Sequence, residues 1–188
     1  MDPLTAALLG IWLFLPAMAP NSGAVLVGGG TPMDFGRKLK DGRRLFGDGK
    51  TWRGFFGGIA CGVGLGLVQM GIAWAFGSPD YWGFSPFPEV LLVFLALSVG
   101  AMLGDLLGSF VKRRIGGERG ASYPALDISV FIAMAILFVA LLQPGWFSER
   151  YLEGWGWLGL VAILVVTPLL HRAVNIIGYR MGKKKVPW

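Results

Sequence analysis

Asp105 follows an uncharged apolar run from Leu91 to Leu103, and no cation appears in the six residues after it. Burying a carboxylate in an apolar span is costly, so such a residue is a functional candidate by default. At 3.6 residues per turn, Asp105, Ser109, Lys112 and Arg113 fall on one helical face. That face carries a carboxylate at membrane depth, a hydroxyl one turn on, and then two cations about 10 Å from the carboxylate at the interface. Asp127 opens the next apolar stretch, three residues after Pro124. The intervening turn returns it to the same end, so Asp105 and Asp127 could share a depth. Two carboxylates beside Lys and Arg suit a divalent cation that bridges phosphate oxygens. For Asp127 a second role is open, because a carboxylate in a first helical turn also favours the helix dipole.

The other dense cluster runs from Phe46 to Gly54 and holds Asp48, Lys50, Thr51 and Arg53 among glycines. It offers backbone N–H groups, a hydroxyl and two cations at a helix N-terminus, which suits an anion. Gly49-Lys50-Thr51 does not complete a P-loop, since Arg44 stands where that pattern needs glycine and no buried strand precedes it. A plain Gly-rich turn with snorkelling cations is the alternative. His171, the one histidine, pairs at helical spacing with Asn175 and reads as a polar packing contact rather than a metal ligand or triad member. Cys61 has no partner, which excludes a disulfide framework or a Cys metal site.

The elements that must position these groups are membrane spans. Apolar residues make up 54% of the 188 and charged residues only 15%, where a soluble domain carries about a quarter. Stretches of about 20 apolar residues occur near 4–27, 54–76, 90–110, 126–143 and 157–179. The chain is expected to be an all-α integral membrane protein with about five transmembrane helices. The N-terminus carries Asp2 and no cation ahead of its apolar stretch, so that stretch reads as a retained span and not a leader. Pro16, Pro20 and Asn21 predict that it is broken, or is a short helix followed by a re-entrant piece. Gly54, Gly58, Gly62 and Gly66, and Ala96, Gly100, Gly104 and Gly108, form small-residue stripes that predict close helix neighbours, each for the other.

All Lys and Arg except Arg150 lie in 30–53, 111–125 or the C-terminal stretch, and an odd number of spans places these three segments on one side. The positive-inside rule then puts the N-terminus outside and the C-terminus in the cytosol. Lys183, Lys184 and Lys185 suit anionic lipid head groups. Nucleic acid is not an expected partner, because the cations lie at membrane edges without a binding motif.

The run Gly104-Asp105-Leu106-Leu107-Gly108-Ser109-Phe110-Val111-Lys112-Arg113-Arg114, with Asp127 beyond it, resembles the signature of the CDP-diacylglycerol synthase superfamily of membrane cytidylyltransferases. The bacterial enzymes are longer and carry a Lys-Asp pair and a Gly-rich stretch before the last aspartate, where this chain has Gly116 to Leu126. The short length, the stretch Gly28 to Asp34 and the run Gly47 to Gly54 resemble the archaeal branch, the CDP-archaeol synthases. The resemblance implies one membrane-embedded cytidylyltransferase domain over residues 1–188, with its active site at the cytosolic side of the cell membrane. It implies CMP transfer from CTP to an isoprenoid glycerol phosphate lipid, 2,3-di-O-geranylgeranylglycerol 1-phosphate, releasing pyrophosphate. Asp105 and Asp127 would hold Mg²⁺ and act with Lys112 and Arg113 in catalysis. Ser109, Lys112 and Arg113 would contact the triphosphate, and Asp48, Lys50, Thr51 and Arg53 would form a second wall of the nucleotide site.

Three rivals are weaker. A CDP-alcohol phosphotransferase needs an alanine that Asp41-Gly42-Arg43-Arg44 lacks, and its later aspartates. A small transporter or anion channel should line a path across the bilayer, whereas these polar residues gather at one end. A purely structural subunit leaves Asp105 unexplained.

Overall fold

The computed structural model describes residues 1–77, 82–117 and 123–182, and of His171 the backbone alone. Arg119 of the second basic segment and Lys183 to Lys185 lie outside the described residues. Among the described residues six helices follow in order: α1 (Pro3–Val27), α2 (Trp52–Ala75), α3 (Glu89–Arg114), α4 (Pro124–Leu142), α5 (Pro144–Tyr151) and α6 (Trp157–Arg180). All but α5 are long and apolar enough to cross a membrane, as the apolar spacing predicts. The sequence reading did not anticipate α5, an eight-residue helix in the α4–α6 connection. Among the described residues no strand forms.

Local chemistry sets the helix ends. Asp2 caps α1, its carboxylate accepting from the Leu4 and Thr5 amides at 3.0 Å each, and Pro3 needs no hydrogen bond at that position. The Thr51 hydroxyl caps α2 by accepting from the Gly54 amide at 3.1 Å. Helix α3 begins at Glu89 and ends in Lys112, Arg113 and Arg114, charges placed to complement its dipole. Its long buried face makes α3 the centre of the bundle. The core joins Leu13, Phe14 and Ala17 of α1 to Phe94, Leu97 and Ala101 of α3, Phe131 and Ala135 of α4, and Ile163 of α6.

Helix α1 is continuous from Pro3 to Val27 and contains both prolines, so the expected break does not occur. A proline leaves the carbonyl four residues before it without a donor. Pro16 thereby frees the Trp12 carbonyl, and Pro20 frees that of Pro16. The neighbours supply what is missing: Gln69 Nε2 of α2 donates to Trp12 O at 2.7 Å, and Ser98 Oγ of α3 donates to Pro16 O at 3.3 Å. Membrane proteins tolerate proline within a span where neighbouring helices satisfy the freed groups.

The small-residue stripes explain how those donors come close enough. A Cβ on Gly62 would fall 2.6 Å from Pro16 O and collide with Ser98 Oγ. On Gly104 it would lie 2.5 Å from the Phe131 Cα. The α2 stripe therefore packs on α1 at Gly58 and Gly62 and on α3 at Met102, Ser98 and Phe94, whereas the α3 stripe packs on α4. Helices α2 and α3 are neighbours, as the sequence suggested, but the two stripes do not face each other: the α2 glycines meet Phe94, Ser98 and Met102 of α3, and the α3 stripe turns to α4.

Replacing Gln69 with Leu leaves the Trp12 carbonyl unpaired and is expected to cost roughly 1–3 kcal/mol in reversible unfolding in mixed micelles. The Pro16→Ala change restores a backbone donor to Trp12, so Gln69→Leu should cost measurably less in that background. Equal costs in the two backgrounds would show that the Gln69 bond does not compensate for the proline.

Candidate active site

The loop from Gly28 to Thr51 folds into a lobe around one buried carboxylate. Asp34 is 3% exposed and accepts from the amides of Gly36, Phe46 and Gly47 at 3.1, 3.1 and 2.9 Å. Arg44 grips the same carboxylate with Nη2 at 2.5 Å and Nε at 3.1 Å, a two-pronged geometry that lysine cannot match. Burial raises the Asp34 carboxyl, but the Arg44 and amide bonds outweigh it and hold the group well below the usual carboxylate range. The Asp34 bond in turn raises Arg44, whose Nη1 also reaches Asp48 at 2.8 Å. Residues 31–33 pair antiparallel with 50–52: the Met33 amide donates to Lys50 O at 2.8 Å and the Trp52 amide to Thr31 O at 3.2 Å. This pairing fixes Lys50 at the start of α2.

The lobe is fastened to the end of α3 by two arginines that exchange bonds. Arg43 Nη1 donates to the carbonyls of Arg113 (3.3 Å) and Arg114 (2.5 Å) at the C-terminal end of α3, where carbonyls run short of intrahelical donors; that of Arg113 also accepts from the Gly116 amide at 3.4 Å. Arg114 reaches back, donating to Arg44 O at 2.5 Å, Arg43 O at 3.2 Å and the Asp41 carboxylate at 2.5 Å. Asp41 is held below the ordinary carboxylate value, first by the Arg43 amide against an opposing effect of burial, with Arg114 adding to the lowering.

With the lobe in place, both candidate carboxylates have a lysine partner. Lys50 Nζ lies 2.5 Å from Asp105, joining the lobe to α3, and Lys112 Nζ lies 2.6 Å from Asp127, joining α3 to α4. Asp105 and Asp127 thus come to the same end of the bundle, as the spacing predicts. Two cavities meet at these pairs. One, of about 470 Å³, is basic and is lined by Arg43, Arg44, Lys50, Ser109, Lys112 and Arg113 among others. The second, of about 410 Å³, holds Asp105 and Asp127 with Asn21, Asn175, Val25 and Met102. Asp48, Gly49, Lys50 and Lys112 line both.

Most of the sequence candidates converge here. Ser109, Lys112 and Arg113 line the basic cavity on one face of α3, and Asp48 and Lys50 face them from the lobe. Thr51 lines the acidic cavity instead, and its hydroxyl is engaged in capping α2. Arg53 is exposed on the first turn of α2 and lines neither cavity. Asn175 is buried and turns to the acidic cavity; the His171 side chain lies outside the described residues. Among the described residues no group of three or more His, Cys, Asp or Glu is placed to share a metal ion. The two carboxylates are hard oxygen donors, and Mg²⁺ is commonly held by one or two carboxylates together with substrate phosphates. The donor set therefore fits that ion.

Sequence reasoning missed the organising roles of Asp34, Asp41, Arg43, Arg44 and Arg114, whose partners lie up to 73 residues apart. For Asn21 a signal existed, since an amide inside an apolar span calls for a polar neighbour.

Residues 4–188 match the family model described as CarS-like, CDP-archaeol synthase. The chain belongs to the CDP-archaeol synthase family. Similar members include the CDP-archaeol synthase of Methanosphaerula palustris, 49% identical over 93% of this chain and 99% of that one. That of Archaeoglobus fulgidus is 44% identical over 95% and 96% of the two chains. A solved structure of an intramembrane enzyme for archaeal membrane lipids biosynthesis superposes with a TM-score of 0.68 at 37% identity, covering 90% of this chain and 94% of that one. Family membership and five apolar helices make this a multi-pass membrane protein, and the family is one of cytidylyltransferases.

Asp34 carries a pH signature for the lobe. A carboxyl lowered by folding stabilises the native state above its unfolded value, near 3.8, and this contribution is lost as pH falls below that value toward the folded one. Hydrogen exchange at the Phe46 and Gly47 amides should therefore be slow and level from pH 5 to 8, after correction for intrinsic rates. Protection should weaken below about pH 4, and Asp34→Asn should weaken it at every pH above that. Equal protection in Asp34→Asn at neutral pH would remove Asp34 as the lobe's organiser.

Proposed function

We propose that this chain transfers the cytidylyl group of CTP to the phosphate of 2,3-di-O-geranylgeranylglycerol 1-phosphate, forming CDP-archaeol and pyrophosphate as one membrane-embedded domain. The observation that carries this reading is the abutment of a basic cavity and an acid-lined cavity at Lys50 and Lys112. Membership of the CDP-archaeol synthase family supports the same reaction class. The basic cavity suits a triphosphate, with Ser109, Lys112 and Arg113 on one wall and Lys50, Arg43 and Arg44 on the other. The acid-lined cavity has Val25, Phe55, Met102 and Leu106 in its walls, which suits a phosphate at the head of a lipid.

A phosphate oxygen of the lipid forms a bond to the α-phosphorus while the bond from that phosphorus to the bridging oxygen breaks, and pyrophosphate leaves. This step needs alignment and charge neutralisation more than a protein nucleophile. Asp105 and Asp127 would hold Mg²⁺, which when bound neutralises charge on the reacting phosphates. Lys50 and Lys112, which otherwise neutralise those carboxylates, would turn to phosphate oxygens. Asp48 keeps Arg44 in place from inside the lobe. Thr51 acts through the α2 cap, and Arg53, which lines neither cavity, stands outside the phosphate contacts.

The orientation follows from charge: we place both cavities on the cytosolic side, the N-terminus outside and the C-terminus inside. Cysteines at Met181, exposed just beyond α6, and at Leu152 in a Cys61→Ala background should then label from inside and outside respectively, and labelling of both from one side would refute it.

Purified protein given each nucleoside triphosphate, Mg²⁺ and the isoprenoid glycerol phosphate should release pyrophosphate with CTP. Asp105→Asn and Asp127→Asn should lower turnover by orders of magnitude while remaining folded; near-normal turnover in either removes that residue from the site. Lys50→Met should weaken CTP binding, measured without lipid substrate, by about 10- to 150-fold, the equivalent of roughly 1.5–3 kcal/mol for one charge-assisted contact. Arg53→Met should change it less. Unchanged CTP affinity in Lys50→Met would confine the nucleotide site to the α3 wall.

A further inference from the structure

Phe35, Trp52 and Phe56 form an aromatic ladder on the outside of the molecule. The Phe35 and Trp52 ring centroids are 6.4 Å apart, and Trp52 stacks on Phe56 at 5.9 Å. Phe56 belongs to the membrane span α2 and is largely exposed, so its outer neighbour is lipid. The ladder carries that lipid-facing surface past the end of α2 and onto the lobe.

Phe35 has φ of +48°, a left-handed conformation unusual for a bulky side chain, and is the one such non-glycine residue among those described. Residues held there persist only where their surroundings impose it. Here the tight turn closed by the Arg37 amide on Asp34 O at 2.7 Å imposes it, and it leaves the ring 64% exposed. The residues that follow, Arg37, Lys38, Leu39 and Lys40, are also exposed. An aromatic ring beside three cations and a leucine suits a bilayer's head-group layer, where aromatic residues concentrate and anionic lipid attracts Lys and Arg.

We propose that the lobe tip, Phe35 to Lys40 with Trp52 beneath it, is an interfacial anchor that docks on the head-group layer of the bilayer the helices cross, preferring anionic lipid. The tip hangs from the paired segments that carry Lys50 and Thr51. Docking it holds a shared wall of both cavities at the membrane surface. The anchor stands whichever reaction the cavities perform.

A fluorophore on Lys38→Cys in a Cys61→Ala background, with the full chain reconstituted in vesicles, tests this. Lipids carrying a nitroxide at the head group should quench it, aqueous iodide should reach it poorly, and adding anionic lipid should strengthen both effects. Phe35→Gly removes the ring while fitting the positive φ better, so folding is not at risk. That change should cut nitroxide quenching several-fold and open the probe to iodide. A probe as open to iodide as free dye, or one indifferent to Phe35→Gly, would overturn the anchor. Shielding that appears only at high protein density would assign the tip to a second copy of the chain and overturn it equally.

Discussion

Hydrocarbon offers no hydrogen bonds, and each polar atom placed within a bilayer must find its partner in the protein. Helix α1 shows the consequence most directly. Its two prolines free two carbonyls in mid-span, and the helix survives because Gln69 and Ser98 stand where those carbonyls point. These donors reach α1 because the glycine stripe of α2 removes the side chains that would keep the backbones apart. Prolines, small residues and buried polar donors are thus parts of one arrangement, and none is explicable without the other two.

The same constraint shapes the site. Asp105 and Asp127 lie at the end of the bundle, where a lone carboxylate would be poorly solvated. Each has a lysine at ion-pair distance, one from the lobe and one from α3. Both pairs are half-buried, and removing one partner leaves the other charge only partly compensated by water. A dication and a polyphosphate arriving together would exchange partners with both pairs while leaving no charge alone. The same four side chains therefore suit the empty and the occupied site.

Precision in such a site depends on the lobe, which has little hydrophobic core and rests on charge. Asp34 gathers Arg44 and three amides, while Arg43 and Arg114 each satisfy carbonyls on the other's segment. The open end of α3 and the folded lobe complete each other's hydrogen bonding. Isolated surface ion pairs contribute little. Here they are part of a network that includes backbone carbonyls, which gives the lobe a defined seat on the helix.

By itself the sequence determined the five spans, since about 20 apolar residues in succession have few other solutions. It also determined the shared face of Asp105, Ser109, Lys112 and Arg113, because helical periodicity alone puts them there. Its motifs were enough to point to the cytidylyltransferase resemblance. Only the tertiary structure decided that α1 runs unbroken through Pro16 and Pro20, because the compensating donors come from helices more than fifty residues away. The same holds for the glycine stripes packing on α1 and α4 rather than on each other, and for Arg53 falling outside both cavities while Arg43 and Arg44 line one. Local periodicity fixes which residues share a face of one helix. Which face meets which neighbour, and which of many loop cations turns inward, depends on long-range hydrogen bonds and close approach that no short window of residues contains.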